Sequence, residues 1–174
     1  EILNLSVSTT TMLTATLALG GLIGFAWASR VLSRGQDAYR MASWGAWVGV
    51  PAFVCVIASA PMDSPVLFAL GIFLIGLGGG LFAHGTLTAT MQMAPPEQVG
   101  LAMGAWGAVQ ATAAGLGMAA GGLVRDGVAL GSSSVLGYSA VYGLELVLLA
   151  LTLWAMAPMM RPARPSVRAT PKSA

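Results

Sequence analysis

Charged side chains are scarce in this sequence. Only 8% of its 174 residues are Asp, Glu, Lys or Arg, whereas 56% are hydrophobic, and the mean hydropathy is +0.80. Soluble domains are about 25% charged, so this composition predicts an integral membrane protein. The small net charge of +2 gives no basic surface for nucleic acid, and we expect no nucleic-acid partner.

Cysteine and histidine are scarcer still, with one of each. The single cysteine, Cys55, excludes an internal disulfide framework and any site with several cysteine ligands. The sequence also has no phosphate-binding glycine motif, no paired carboxylates and no nucleophile with a matching base. We therefore predict a protein that is not an enzyme, with no catalytic residues and no metal site.

Long apolar segments are abundant, and five of them are long enough to cross a bilayer, which takes about 20 residues. They predict an all-α integral membrane fold, with one helical domain over residues 1–160. Residues 161–174 are basic and rich in proline, so we predict a disordered tail there. The predicted spans are residues 7–29, 41–60, 66–93, 99–124 and 138–157.

The basic residues are unevenly divided between the two sides of such a bundle. The loop from Arg30 to Arg40 carries three and the tail four, all on one side, while Arg125 alone lies on the other. Because loops rich in Lys and Arg face the cytoplasm, this split of seven against one predicts a cytoplasmic C-terminus. Arg125 and Asp126 are expected to end the fourth helix without facing each other.

Glycine and alanine recur at four-residue intervals in several of the apolar segments. In water a glycine disfavours a helix by about 1 kcal/mol relative to alanine, whereas in lipid the helix is enforced by its own hydrogen bonds. Small residues then let helix backbones approach closely. We predict helix packing at Gly20, Gly24, Gly76, Gly107, Gly115 and Gly121.

Two runs carry a family resemblance. GLGGGLFAHGTLTATM, residues 76–91, and GLAMGAWGAVQATAAGLGMAAGGLVRD, residues 100–126, resemble the PucC/LhaA family. That family is the bacteriochlorophyll-delivery branch of the major facilitator superfamily in phototrophic bacteria. Its members have about twelve helices, so the resemblance implies that these five correspond to the C-terminal portion of a major facilitator fold.

The resemblance also implies a function. It predicts an accessory membrane subunit for the assembly of light-harvesting complexes, handling or shielding bacteriochlorophyll in the bacterial inner, intracytoplasmic photosynthetic membrane. The expected partners are antenna polypeptides, with the reaction centre as a further candidate, together with pigments and lipids. Two alternatives stay open: a transporter of an amphipathic substrate and a truncated remnant with a structural role.

His84 is the candidate pigment ligand, since a neutral imidazole inside a membrane segment needs a partner. In the light of the resemblance it could ligate the magnesium of a bacteriochlorophyll. Gly76, Gly80 and Thr88 share its helix face, and the glycines would make room for a flat macrocycle. The alternative is a histidine that is hydrogen-bonded to a carbonyl or threonine of a neighbouring helix.

Three further polar groups lie inside the predicted spans. Trp106 and Gln110 share one face of the fourth helix, where they could line a pigment groove or join helices. Glu145 lies about 10 Å into the fifth helix from Tyr138, at 1.5 Å per residue. An intramembrane carboxylate is a functional candidate by default, for proton coupling or as a partner for Gln110 or His84.

Overall fold

The computed structural model describes residues 7–160, and every regular element in that range is helical. The all-α prediction with five long apolar helices is confirmed, and the chain is a multi-pass membrane protein. A short 3₁₀ turn over Pro96–Gln98 follows the third helix. The helices are α1 (Val7–Leu32), α2 (Ala38–Ser59), α3 (Pro65–Met93), α4 (Val99–Leu130) and α5 (Ser134–Met156).

Two helices begin earlier than predicted because polar caps extend them, and α1 and α4 continue beyond their predicted ends to Leu32 and Leu130. Asp37 caps α2, its side chain accepting from the backbone N–H of Arg40 at 2.8 Å, so this helix begins three residues early. Ser133 caps α5 in the same way through the N–H of Leu136. The predicted tail, residues 161–174, lies outside the described residues.

Helix α3 is the centre of the bundle, with α1 and α2 packed on it along its length. At the α1–α3 seam, a Cβ at Gly20 would collide with the carbonyl oxygen of Phe73, and one at Gly76 with that of Leu17. Gly24 lies in the same way against the carbonyl of Leu77. These glycines therefore occur where the two backbones touch.

At the α2–α3 seam, glycines again lie where the two backbones touch. A Cβ at Gly45 would lie 2.5 Å from the carbonyl oxygen of Gly78, and one at Gly85 would lie 2.6 Å from the backbone nitrogen of Ala42. Distances this short are not tolerated by real side chains, so a larger residue would push the helices apart. A buried apolar cluster beside this seam comprises Ala28, Met41 and Leu81.

Helices α4 and α5 lie at the edge of this three-helix unit. They pack on each other, α5 also packs on α2, and α4 touches α3. Helices α4 and α5 approach closely at Gly137, where a Cβ would lie 2.7 Å from the carbonyl oxygen of Arg125. None of the residues of α4 is buried. The fourth helix is therefore attached to the bundle at few points.

Candidate functional site

His84 lies on the side of α3 that faces α1. Its ring meets Phe25 edge to face, with the ring centroids 4.1 Å apart. The Nδ1 atom is enclosed and has no hydrogen-bond partner among the described residues. The predicted hydrogen bond to a neighbouring carbonyl or threonine is therefore absent at this atom. An external ligand could reach His84 only through the other ring nitrogen, Nε2.

The space predicted beside His84 is already filled by α1. A Cβ at Gly80 would collide with the carbonyl oxygen of Gly21 and lie 2.9 Å from the backbone nitrogen of Phe25. Gly76 is closed in the same manner by Leu17. These two glycines thus bring helices together and leave no room for a macrocycle on that face. The sequence pattern could not distinguish the two uses, since both require small residues.

Trp106 joins α4 to α3. Its indole Nε1–H donates to the hydroxyl of Thr86 at 3.1 Å, and the Thr86 hydroxyl in turn donates to the carbonyls of Phe82 and Ala83. Sequence reasoning selected Thr88 and missed Thr86. Thr86 lies two residues after His84, and residues two apart face different sides of a helix. A pattern built on the face of His84 therefore could not select Thr86.

The predicted pigment-site residues consequently do not form one group. His84 and Gly80 face α1, whereas Trp106 meets α3 on another side through Thr86. Thr88 and Gln110 are half-buried, and neither has a side-chain hydrogen bond among the described contacts. His84 therefore lies on one side of α3, and the hydrogen bond between Trp106 and Thr86 lies on another side.

The first half of α4 presents an open face made of Gly100, Gly104, Gly107 and Gly115. On a helix of 3.6 residues per turn these positions fall within an arc of about 80°. A Cβ at any of the four would meet nothing within 4 Å. The packing predicted at Gly107 and Gly115 is therefore not formed within residues 7–160. Gly121, further along α4, makes only an ordinary contact with Val141, at 3.6 Å.

Large apolar side chains of α4 are also left uncovered: Leu101 borders the open face, whereas Val109 and Leu116 lie about 140–160° from its centre. Their exposed fractions are 73% for Leu101, 67% for Val109 and 67% for Leu116. Exposed apolar groups of this size are ordinary on a lipid-facing helix. Glycines that leave room for a second backbone are not expected on a lipid-facing helix, because lipid chains gain nothing from them. The combination is typical of a surface that receives another helix.

Arg125 and Asp126 form an ion pair, with Arg125 Nη2 2.8 Å from Asp126 Oδ1, so the prediction that they do not face each other is wrong. The Arg125 side chain is long enough to reach back to its neighbour, although the two Cβ atoms diverge. Its guanidinium also lies 5.6 Å from the centroid of the Tyr138 ring on α5. The helix continues past both residues to Leu130.

Glu145 lies on α5 and lines a cleft between α2, α3 and α5. Neither Gln110 nor His84 is among the residues that line this cleft. Its carboxyl is half-buried and has no ion-pair partner among the described residues. The structure thus places the intramembrane carboxylate in a site of its own.

The sequence matches one known family over most of its length. The profile described as PUCC protein covers residues 1–164. The chain is 58% identical over 135 residues to Protein PucC of Rhodovulum sulfidophilum, a match that covers 78% of this chain and 30% of that relative. It is 51% identical over 168 residues to Protein PucC of Cereibacter sphaeroides, covering 94% of this chain and 37% of that relative.

A further relative is described only by its position in a genome. It is an uncharacterized protein in the puhA-bchM intergenic region of Rhodobacter capsulatus, 46% identical over 171 residues, covering 93% of this chain and 36% of that relative. The chain thus spans 30% to 37% of the length of these curated relatives. No solved structure matches it, so the likeness to a facilitator fold stays a prediction.

Proposed function

The chain belongs to the PucC family, and on that premise we propose that it serves as a non-enzymatic membrane subunit in the assembly of bacterial light-harvesting complexes. It receives the transmembrane helix of an antenna polypeptide and holds bacteriochlorophyll beside it. Its place is the photosynthetic inner membrane, with the C-terminus in the cytoplasm. The observation that carries the proposal is the open face of α4.

The packed part of the molecule supports this use of the open face. Apolar attraction does not join helices in lipid, so close backbone approach and hydrogen bonds have to do so. Both seams on α3 achieve that approach with glycine, and α4 has the same residue type on one face with no helix against it among the described residues. Because residues 99–124 carry no charge, the complementary partner is an uncharged, apolar helix.

The docking experiment compares glycines on and off the open face. A tagged chain is purified in mild detergent from photosynthetic membranes, and the co-purified antenna polypeptides are quantified. Leucine at Gly107 or Gly115 should reduce them several-fold, because the side chain would hold a partner backbone away. Gly127→Leu is the matched control, since Gly127 is equally open but lies about 160° from the centre of the face.

Two outcomes would contradict the docking proposal. Equal recovery of antenna polypeptides with all three leucine variants would mean that the open face contacts only lipid. The competing occupant of the open face is another helix of a longer chain of this family, because the relatives are about three times as long as this sequence. A colourless protein that catalysed substrate uptake in proteoliposomes would instead favour the transporter.

His84 is the residue that we propose to hold the pigment. Imidazole nitrogen is a good metal ligand, and Nε2 is the atom left for it, because Nδ1 is enclosed. The bound pigment would supply a magnesium ion for the imidazole to ligate. A macrocycle seated on Gly76 and Gly80 does not fit, since α1 occupies that space. The histidine fits the role, but the predicted glycine groove beside it does not.

Substitution of His84 separates the pigment role from a structural one. His84→Leu should lower the near-infrared absorbance per protein, and His84→Asn, which keeps an oxygen ligand, should retain part of it. The thermal midpoint should not fall in the leucine variant, because the nitrogen that it removes has no partner among the described residues. Thr90→Val, which removes a hydroxyl that donates to the carbonyl of Thr86 within α3, is the control. Unchanged absorbance in His84→Leu would remove this residue from the site.

The proposed orientation is tested by cysteine labelling in a Cys55→Ala background. A cysteine at Ser132, in the α4–α5 loop, should react with an impermeant maleimide added to intact cells. A cysteine at Ser33, in the basic α1–α2 loop, should react only after permeabilisation. Labelling of both from the same side would contradict a five-helix arrangement, and the reverse pattern would invert the orientation.

A further inference from the structure

The cleft between α2, α3 and α5 is distinct from both the open face of α4 and His84. It is partly open and has a volume of about 300 Å³. Among the residues that line it, only Glu145 and Thr152 have polar side chains; the others are glycines, aliphatic residues and the rings of Phe53 and Phe82. It therefore combines an apolar wall with a few polar anchors, as small-molecule sites do.

Both anchors offer hydrogen-bond acceptors to an occupant. The Thr152 hydroxyl already donates to the carbonyl of Leu148 at 2.8 Å, so only its lone pairs remain for a ligand. The Glu145 carboxyl presents an accepting oxygen in either protonation state. The complementary group on a ligand is therefore a hydrogen-bond donor.

The shape of the cleft sets the size of the occupant. Glu145 and Thr152 are seven residues apart on α5, which places them on one face and separates them by about 10 Å. Phe53 and Tyr142, with ring centroids 6.1 Å apart, stand at the Glu145 end. A volume of about 300 Å³ is at the lower limit of small-molecule sites, so a chain or a single ring fits and a four-ring macrocycle does not.

We infer that this cleft binds an apolar single-chain alcohol, whose hydroxyl donates to Glu145 and whose chain lies beside Gly79 of α3. Among the described residues no basic side chain lines the cleft to pair with an anionic head, and a neutral donor needs only the one carboxyl that is there. The inference does not depend on the antenna role. The carboxyl of Glu145 binds the hydroxyl of the ligand, and Gly79, where a Cβ would meet nothing within 4 Å, leaves space for the chain.

Retinol is a suitable probe because it is a single-chain alcohol that fluoresces. The purified chain in detergent is titrated with retinol, and energy transfer from tryptophan is measured. We expect saturable binding of retinol, weaker binding of retinyl acetate, which lacks the O–H donor, and no gain for retinylamine. Equal binding of the acetate, tighter binding of the amine, or the absence of saturable retinol binding would each overturn the inference.

Variants locate the binding in the cleft. Glu145→Leu should weaken retinol binding about tenfold, the value expected for a lost hydrogen bond to a carboxyl, and Glu145→Gln should restore part of it. Gly79→Leu should abolish binding: Gly79 lines the cleft and a Cβ there meets nothing within 4 Å, so the side chain fills the cleft without a backbone collision.

A matched control separates filling of the cleft from a general effect of leucine. Gly143→Leu, on α5, adds the same side chain at a position that is equally open and does not line the cleft, and it should leave retinol binding unchanged. Thermal midpoints of all variants show that each is folded. Unchanged binding in folded Gly79→Leu and Glu145→Leu would overturn the assignment to this cleft.

Discussion

Helices α3 and α4 are both rich in glycine, yet they use it in opposite ways. Five of the six glycines of α3 lie against another helix, and only Gly79 is open. On α4 the situation is reversed, because Gly121 alone has a neighbour within 4 Å among the described residues. Glycine content therefore predicts the capacity for close approach, but not which helix makes use of it within this part of the chain.

The difference has an energetic consequence in a membrane. Lipid chains are as apolar as leucine, so α4 loses little when its leucines face lipid instead of protein. The close contacts of α3 cannot be replaced by lipid in this way. We therefore expect stability to depend on the α3 seams, while the open face of α4 is free to contribute to binding.

The largest expected effect is at the α1–α3 seam. Gly76→Leu should destabilise the purified chain by about 3 kcal/mol or more, at the upper end of what overpacking costs, because the side chain meets backbone that cannot rotate away. Gly115→Leu should leave the free energy of unfolding within about 0.5 kcal/mol, as is usual at open positions. The measurement is titration with a denaturing detergent, followed by circular dichroism.

The comparison fails if the two variants behave alike. Equal destabilisation would mean that α4 is packed in the isolated chain, for example against a second copy. Equal stability would mean that α1 can shift away from α3 at little cost. Gly79→Leu, on α3 itself but open, is the control for adding leucine to that helix.

The helices could be predicted from the sequence, but which helices pack against each other could not. Hydropathy and length are local properties, and they predicted five spans whose ends differ from the structure where Asp37 and Ser133 cap a helix and where α4 continues to Leu130. Which glycines are closed depends on the crossing points of helices, which are set by the whole bundle. The four-residue spacing of Gly76 and Gly80 with His84 was correct as a face, but α1 occupies that face.

The candidate site shows the same limit. The chemical types were readable, since a lone histidine and a lone carboxylate stand out in an uncharged span. Which residues lie beside them could not be predicted, because those neighbours are distant in the sequence. Phe25 covers His84, Thr86 binds Trp106, and α2 provides part of the wall around Glu145.

A smaller effect is expected where α4 meets α5. Gly137→Leu should cost about 1–3 kcal/mol, because its side chain would meet the carbonyl oxygen of Arg125 at a single crossing point. Gly143→Leu, on the same helix with nothing within 4 Å, should be close to neutral. A neutral Gly137→Leu would show that α4 can separate from α5 freely, and the position of the open face would then be variable.

The smallest effect concerns the hydrogen bond that ties the open helix to the packed one. Trp106 Nε1 donates to Thr86 across α3 and α4. Interhelical hydrogen bonds in membrane proteins average about 0.6 kcal/mol, so a double-mutant cycle of Trp106→Phe, Thr86→Val and the double variant should give a coupling energy of that size. The free energies come from the same detergent titration.

The cycle also tests how α4 is held for its proposed partner. If the tie orients the open face, Trp106→Phe should lower the recovery of antenna polypeptides more than its small effect on stability explains, because a rotated α4 turns Gly107 and Gly115 away from the partner. Thr86→Val should lower recovery to the same extent, since it removes the other half of one hydrogen bond. A coupling energy of zero, with unchanged recovery in both variants, would mean that α4 is oriented by its contacts with α5 alone.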